Sequence, residues 1–223
     1  MNMRMLKYIK EIQYLSPLRR YFFPRYVYNF TAPQICFLCE CLNNTRDVPG
    51  SIVEVGCAGG STTIFLNKYM DARKIDKEYF CIDTFSGFVD KDIAHEVAKR
   101  GKIKEMYTEG FQVNKKKWFD GTMKSNRIAR VHSIQTDVND FDFTVLGNIS
   151  FCLLDVDLYR PTKNSLASLF NLLSPQGIMV VDDCSQEDIR WDGADQAYKE
   201  FINEVAYPLR IIEEKLGVII KSI

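Results

Sequence analysis

Short apolar runs alternate with helix-length segments along most of the chain. Most of these runs are apolar at nearly every position, which is typical of strands buried on both faces of a sheet. They predict strands at residues 52–55, 78–83, 128–134, 150–154 and 178–181. Helices are expected at residues 31–41, 64–70, 161–173 and 191–206. Strands that alternate with helices predict a parallel sheet covered by helices, which is the α/β class.

The N-terminal part has a different pattern. Residues 5–15 repeat apolar positions at helical spacing and end at Ser16 and Pro17. The stretch up to residue 30 is dense in aromatic residues and arginine. We therefore expect residues 1–48 to form a helical cover on the sheet, or an interface through which the protein forms a homo-oligomer.

The remaining residues, 49–223, have the length of one domain with a single sizeable core. Within them, residues 88–126 are lysine-rich and lie between two predicted strands, which indicates a lid that closes over a substrate. Residues 209–213 and 218–220 are apolar runs separated by a short turn, and they predict an antiparallel hairpin that closes the sheet.

Composition argues against several classes of partner and site. Lys+Arg and Asp+Glu both number 29, so no overall field attracts nucleic acid or an anionic membrane. No apolar run reaches the roughly 18 residues of a membrane-spanning helix. Seven cysteines in apolar surroundings predict reduced thiols in a cytoplasmic protein. Cys36, Cys39 and Cys41 lack a second Cys/His cluster, so we interpret them as core residues rather than metal ligands.

A glycine-rich turn follows the first predicted strand. Glu54 lies near the strand end, Gly56 and Gly60 lie in the turn, and Ser61 or Thr62 is expected to cap the next helix. The spacing Glu54-x-Gly56-x-x-x-Gly60 resembles the first motif of class I S-adenosylmethionine (SAM) methyltransferases, whereas a dinucleotide-binding turn would carry glycine at Ala58. A tight turn without a ligand is the alternative. The candidate cofactor contacts are Glu54, Gly56, Gly60 and Ser61, with Glu54 facing a cationic amino acid moiety.

Further cofactor contacts are expected after the second and third strands. Asp83 ends the second strand 23 residues after Gly60, near the roughly 20-residue spacing of an acid that accepts ribose hydroxyls. Thr84 and Phe85 follow it, and Phe85 is expected to flank the adenine. Asp137 comes after the third strand, where a carboxylate can reach the adenine amino group.

Carboxylates also follow the next two predicted strands. Asp155 and Asp157 come after residues 150–154, and Asp182 and Asp183 come after residues 178–181. The carboxyl ends of parallel strands meet at one edge, so these acids should converge beside the cofactor. They would repel one another unless a cation or a proton lies between them, and oxygen ligands suit Mg²⁺, with Mn²⁺ or Ca²⁺ as second choices. Solvated or helix-capping acids are the alternative.

Three segments together resemble the macrocin O-methyltransferase family: residues 154–162 (Leu-Asp-Val-Asp-Leu-Tyr-Arg-Pro-Thr), 177–183 and 193–201. The similarity extends from about residue 51 to about residue 201. It implies a Rossmann-like, seven-stranded class I methyltransferase sheet with helices on both faces and a C-terminal antiparallel hairpin. It also implies Asp155, Asp182 and Asp183 as metal ligands and Asp157 as the catalytic base. Val156 replaces the glycine common between the first two acids.

The function implied by this resemblance is a SAM-dependent, Mg²⁺-dependent O-methyltransferase. Its acceptor would be a hydroxyl of a sugar or of a glycosylated small molecule, on a natural product, a nucleotide sugar or a polysaccharide terminus. Three alternatives stay open: a Rossmann oxidoreductase, a cephalosporin-hydroxylase-like enzyme and a non-catalytic SAM-fold partner subunit. The glycine spacing argues against the oxidoreductase, and the acid cluster argues against the non-catalytic subunit.

Overall fold

The computed structural model describes residues 3–17, 26, 28–107, 113–185 and 187–222. The strands are β1 (Ser51–Val55), β2 (Tyr79–Asp83), β3 (Val131–Gln135), β4 (Ile149–Leu154), β5 (Leu173–Val181), β6 (Ile211–Ile212) and β7 (Leu216–Ile220). They form one seven-stranded sheet in the order β3-β2-β1-β4-β5-β7-β6. The first five strands are parallel, while β7 and β6 form the antiparallel edge. The predicted α/β sheet and its closing hairpin are confirmed.

Seven helices of the described residues accompany the sheet: α1 (Met3–Leu15), α2 (Ala32–Asn44), α3 (Ser61–Arg73), α4 (Asp90–Arg100), α5 (Lys116–Ser125), α6 (Tyr159–Leu172) and α7 (Asp192–Glu204). Short 3₁₀ turns occupy Lys104–Tyr107 and Phe143–Leu146. Alternate residues of a strand point to opposite faces, so a strand covered on both faces is apolar throughout. In β4, Phe151 and Leu153 pack with α2, α3 and α5, whereas Cys152 and Leu154 pack with α6 and α7.

Two strand bounds differ from the prediction for local reasons. β3 begins at Val131, because Arg127 takes a left-handed φ of 57° and the Ile128 N–H still bonds the Met123 carbonyl at the end of α5. β5 begins at Leu173 instead of Ile178. Leu173 pairs with Ile149, and an irregularity containing Gln176, with φ 66°, separates that pair from the next. The residues expected only to end α6 therefore also extend the strand.

The N-termini of α2 and α3 contrast. Thr31 caps α2, since its hydroxyl accepts the Gln34 N–H while the Gln34 side chain accepts the Thr31 N–H at 2.9 Å. At α3 the cap position is Gly60, with φ 87° and no side-chain cap bond. Ser61 is the first helical residue, so the prediction that Ser61 caps this helix is wrong.

The cysteines and the N-terminal segment follow the sequence interpretation only in part. All seven cysteines are free; Cys39 and Cys41 are buried, but Cys36 is exposed, so the core interpretation is wrong for Cys36. The aromatic and arginine-rich residues 18–25 lie outside the described residues, and an interface there stays a prediction. In the described part of the chain, no helix has the length and apolar character to cross a membrane.

The predicted lid, residues 88–126, is more regular than its sequence suggests, because it contains α4 and α5. The α4 helix is bound to the starts of α6 and α7. Glu96 accepts the Tyr159 N–H at 2.8 Å, and Arg100 donates to Asp192 at 2.5 Å. These contacts hold α4 beside the carboxyl edge of the sheet. Closure of this segment over a substrate stays a prediction.

Candidate active site

A cavity of about 780 Å³ lies at the carboxyl edge of the sheet, within the size range of ligand sites. The loops that follow all five parallel strands line it, together with residues of α4 and of the β6–β7 hairpin. Ten of the predicted site residues line this cavity: Glu54, Gly56, Ser61, Asp83, Thr84, Asp137, Asp155, Asp157, Asp182 and Asp183. Gly60 and Phe85 are not among the lining residues. The structure therefore brings both predicted halves of the site into one space.

The glycines of the β1–α3 turn have different roles from those expected. A Cβ on Gly56 would lie 1.6 Å from the Asp155 carbonyl oxygen, so β4 and not a ligand requires this glycine. A Cβ on Gly60 would lie 2.6 Å from the side chain of Met123 in α5, away from the cavity. Gly59, which the sequence motif did not single out, lines the cavity and has no atom within 4 Å of its Cβ position. Of these three glycines, Gly59 is thus the one at which a side chain would meet no protein atom.

Asp83 holds the glycine turn in place. Its two carboxylate oxygens accept the backbone N–H groups of Ala58 at 2.8 Å and Phe85 at 2.6 Å. Ala58 and Phe85 both have left-handed backbones, with φ 44° and 50°. The Phe85 side chain is buried against Phe119, with 5.2 Å between ring centroids. Phe85 therefore packs in the core and does not flank a ligand in the cavity.

Glu54 is a buried acid surrounded by hydroxyl donors. One of its oxygens accepts from the hydroxyls of Tyr79 at 2.6 Å and Thr63 at 2.8 Å. Burial raises the Glu54 pKa to about 7, although these hydrogen bonds act in the opposite direction. A cationic group beside Glu54 would favour the ionised form, and the expected contact of Glu54 with a cationic amino acid moiety stays a prediction.

Asp137 is held by its neighbours at the end of β3. The Asn139 backbone and side chain donate to one of its oxygens, and Lys91 of α4 pairs with the other at 2.9 Å. Burial alone would raise the Asp137 pKa, but these hydrogen bonds outweigh it and lower the pKa. The carboxylate stays ionised and also ties α4 to the cavity wall.

Three carboxylates converge at the ends of β4 and β5. Asp155, Asp157 and Asp183 each offer an oxygen, and these oxygens all lie within 4.8 Å of one another. Burial raises the pKa of Asp155 and Asp157 well above the usual range, and repulsion between the neighbouring acids adds to this. The predicted ligand set had Asp182 in place of Asp157. The geometry therefore groups the predicted base with two of the predicted ligands.

Asp182 has a partner that the sequence interpretation missed. Lys215, in the turn between β6 and β7, donates to Asp182 at 2.7 Å and to Asp183 at 2.9 Å. The second Asp182 oxygen is buried and has no hydrogen-bond partner. The predicted hairpin carried the signal, because Val181 pairs with Gly217 and a hairpin beside β5 therefore places Lys215 near the strand-end acids.

Two of the acids have uncommon backbones. Asp157 has φ 61° and Asp183 has φ 57°. Residues other than glycine rarely occupy the left-handed region, although aspartate and asparagine tolerate it better than most. Such conformations concentrate at functional sites, where the surrounding structure holds them. Here each one lies two or three residues after a strand end, and both acids line the cavity.

The sheet, its antiparallel hairpin, the glycine turn after β1 and the acid that ends β2 together define a class I methyltransferase fold. Two solved structures share it. The O-methyltransferase NovP is 17% identical to this chain and has a TM-score of 0.72. The match covers 86% of this chain and 80% of the NovP chain. The calicheamicin methyltransferase CalS11 is 17% identical, covers 96% and 90%, and has a TM-score of 0.71. At these identities the likeness concerns the fold.

The chain belongs to the macrocin-O-methyltransferase (TylF) family, whose sequence profile matches residues 35–219. It is therefore an O-methyltransferase, and membership implies SAM as the methyl donor. The resemblance seen in the sequence is confirmed, and methyl transfer is favoured over the oxidoreductase and hydroxylase alternatives. No curated protein matches the chain significantly in sequence.

Proposed function

We propose that this protein transfers the SAM methyl group to a hydroxyl of a sugar or glycosylated small molecule. A divalent metal ion, with Mg²⁺ as the first choice, would bind at the carboxylate cluster, which consists of Asp155, Asp157, Asp182 and Asp183. One observation carries the proposal: the glycine turn and the carboxylate cluster line the same cavity. A methyl donor at the turn and an acceptor at the acids would then lie side by side. Such proximity supplies a large part of catalysis in group transfer.

The family and one neighbour support a sugar acceptor. Macrocin O-methyltransferases give the family its name, and a second CalS11 structure, with 16% identity and a TM-score of 0.59, is described as a TDP-rhamnose 3′-O-methyltransferase. The lining of the present cavity adds a preference among sugars. Its acidic residues outnumber Arg190 and Lys215: besides the four aspartates after β4 and β5 it contains Glu54, Asp83, Asp92, Asp137, Glu187, Asp188 and Glu214. This excess of negative charge favours an uncharged or amine-bearing acceptor over a sugar nucleotide with phosphates.

The donor set fits a divalent cation. When ionised, four aspartates carry four negative charges and Lys215 carries one positive charge, which leaves 4 − 1 = 3 negative charges in a buried space. Asp182 also has one buried oxygen without a hydrogen-bond partner. Carboxylate oxygens are the ligands that Mg²⁺ prefers. Asp155, Asp182 and Asp183 would hold the ion, and Asp157 is kept as the base.

A sugar hydroxyl is a weak nucleophile at neutral pH because it holds its proton tightly. A bound divalent ion would act as a Lewis acid that lowers the hydroxyl pKa and orients the acceptor. Asp157 would accept the proton as the hydroxyl oxygen bonds to the methyl carbon. The methyl carbon–sulfur bond of SAM would break at the same time, and its electron pair would stay on the sulfur of the product, S-adenosylhomocysteine. Glu54 and the turn around Gly59 would hold the methyl donor.

The metal requirement is tested by exhaustive chelation. We expect chelation to abolish methyl transfer to a sugar glycoside, Mg²⁺ to restore it, and SAM affinity in calorimetry to change little. We expect SAM affinity to survive chelation because Glu54 and Gly59 lie at or just after the end of β1, whereas the acids that would hold the metal follow β4 and β5. Full activity after chelation would show that the acids are structural. Absence of SAM binding would contradict the methyltransferase assignment itself.

A further inference from the structure

Lys215 is held firmly at the edge of the acid cluster. Its carbonyl accepts the Cys184 N–H at 2.7 Å, its ammonium lies 5.1 Å from the Phe30 ring centroid, and its side chain is 22% exposed. The ammonium bonds one oxygen of Asp182 and one of Asp183, whose side chains are 4% and 11% exposed. A lysine fixed in this way at two buried carboxylates is a permanent part of the site's charge.

The ammonium and a divalent ion would use the same two acids. Asp183 also belongs to the trio of carboxylates whose oxygens converge. Two cations that share carboxylates repel one another, and the repulsion is strong where water is scarce. Lys215 also keeps the acids together when no ion is bound, since the ammonium reduces the repulsion between them. The same contact thus stabilises the metal-free site and opposes metal binding.

We propose that Lys215 is a built-in cation that takes the place of part of the metal's charge and sets how weakly the metal is held. This inference rests on the metal site of the proposed function. Lys215 is a positioning residue here, because it acts on the aspartates and not on the acceptor. A metal held weakly in this way can leave and return. The fold stays stable in the metal-free and the metal-bound protein, because the Lys215 contacts keep the acids together when the metal is absent.

The test is metal binding without acceptor, which keeps it independent of turnover. Calorimetry with Mg²⁺ or Mn²⁺ and thermal unfolding in chelator are measured for the wild type, Lys215→Met and Lys215→Arg. Lys221→Met is the matched control. Lys215 and Lys221 flank the two ends of β7, but Lys221 donates to the Phe170 and Asn171 carbonyls and not to the acids. We expect Lys215→Met to bind the metal at least about tenfold more tightly and to unfold at a lower temperature without metal. The Lys215→Arg and Lys221→Met variants should keep the wild-type metal affinity.

Three outcomes would overturn the inference. The first is unchanged or weaker metal binding by a folded Lys215→Met, which makes the lysine a purely structural partner. The second is a Lys215→Met protein that unfolds without metal and is not refolded by Mn²⁺. The third is no metal binding by either the wild type or Lys215→Met, which also removes the metal from the proposed function. A wild type without measurable affinity beside a Lys215→Met that binds metal would support the inference.

Discussion

Asp83 and Asp182 both lie at strand ends in the same cavity, yet their surroundings differ. Asp83 accepts two backbone N–H groups, one on each oxygen, so neither oxygen lacks a hydrogen-bond partner. Asp182 has Lys215 on one oxygen and no hydrogen-bond partner on the other. We call the part of the cavity around the β1–α3 turn and Asp83 the cofactor half, and the part around the acids after β4 and β5 the acid half. The comparison indicates that folding alone supplies the hydrogen-bond partners in the cofactor half, whereas the acid half keeps more negative than positive charge. A buried acid without enough partners is costly unless a cation or proton supplies the balance.

The largest effect is expected in the acid half. Asp157→Asn should lower the rate of methyl transfer by about 10³-fold, because asparagine cannot take the acceptor proton. Asparagine is the suitable replacement, since it tolerates the left-handed backbone of Asp157, with φ 61°. Single-turnover kinetics with saturating SAM measure the loss. SAM affinity should stay within about twofold of the wild type.

Metal affinity then separates the two assignments of Asp157. If Asp157 is the base, Asp182→Asn weakens metal binding while Asp157→Asn does not. The reverse pattern would assign Asp157 to the metal, in agreement with the group of three converging oxygens, and would exclude Asp182 as a ligand. Calorimetric titration of both variants with Mn²⁺ decides between these results.

A smaller effect is expected in the cofactor half. Gly59→Val should weaken SAM binding by about 10²-fold or more, because the added side chain would occupy space that the proposed cofactor needs. The protein should keep its melting temperature, because a Cβ at Gly59 meets no atom within 4 Å. Gly60→Ala is the matched control. Its φ of 87° and the contact with Met123 predict a loss of stability instead. Equal SAM affinity in Gly59→Val and the wild type would show that the cofactor lies elsewhere.

The smallest effect concerns Glu54 and pH. Its pKa of about 7 in the folded protein lies above the ordinary value of 4.5, so the folded state holds the proton more tightly than the unfolded chain. The free energy of unfolding should therefore fall as pH rises, by about 2 kcal/mol between pH 5 and pH 7 from this group, and level off above pH 7. In Glu54→Gln this contribution disappears. Urea unfolding of both proteins at several pH values measures the difference, and parallel curves would contradict the raised pKa.

The sequence predicted the convergence of the acids because that depends on local patterns. Each acid follows an apolar run, and parallel strands place their ends on one edge. Contacts between residues that are far apart in the sequence were harder to predict. Lys215 is 33 residues from Asp182 along the chain, and only the pairing of the predicted hairpin with β5 brings the two residues together. The roles of Gly59 and Gly60 depend on backbone angles within one turn, which spacing alone cannot distinguish. Phe85 was misplaced for the same reason, since its φ of 50° turns the ring towards Phe119.

The position of Lys215 along the chain has a consequence for synthesis on the ribosome. A nascent chain that has emerged as far as Asp183, two residues after β5, already contains all four aspartates of the cluster, but its main counter-charge follows 32 residues after Asp183. Until β7 pairs with β5, that strand also lacks its antiparallel neighbour. Domains generally fold as units. Here the late hairpin supplies both the missing strand and the missing charge, so the sheet edge and the acid cluster are completed in the same step.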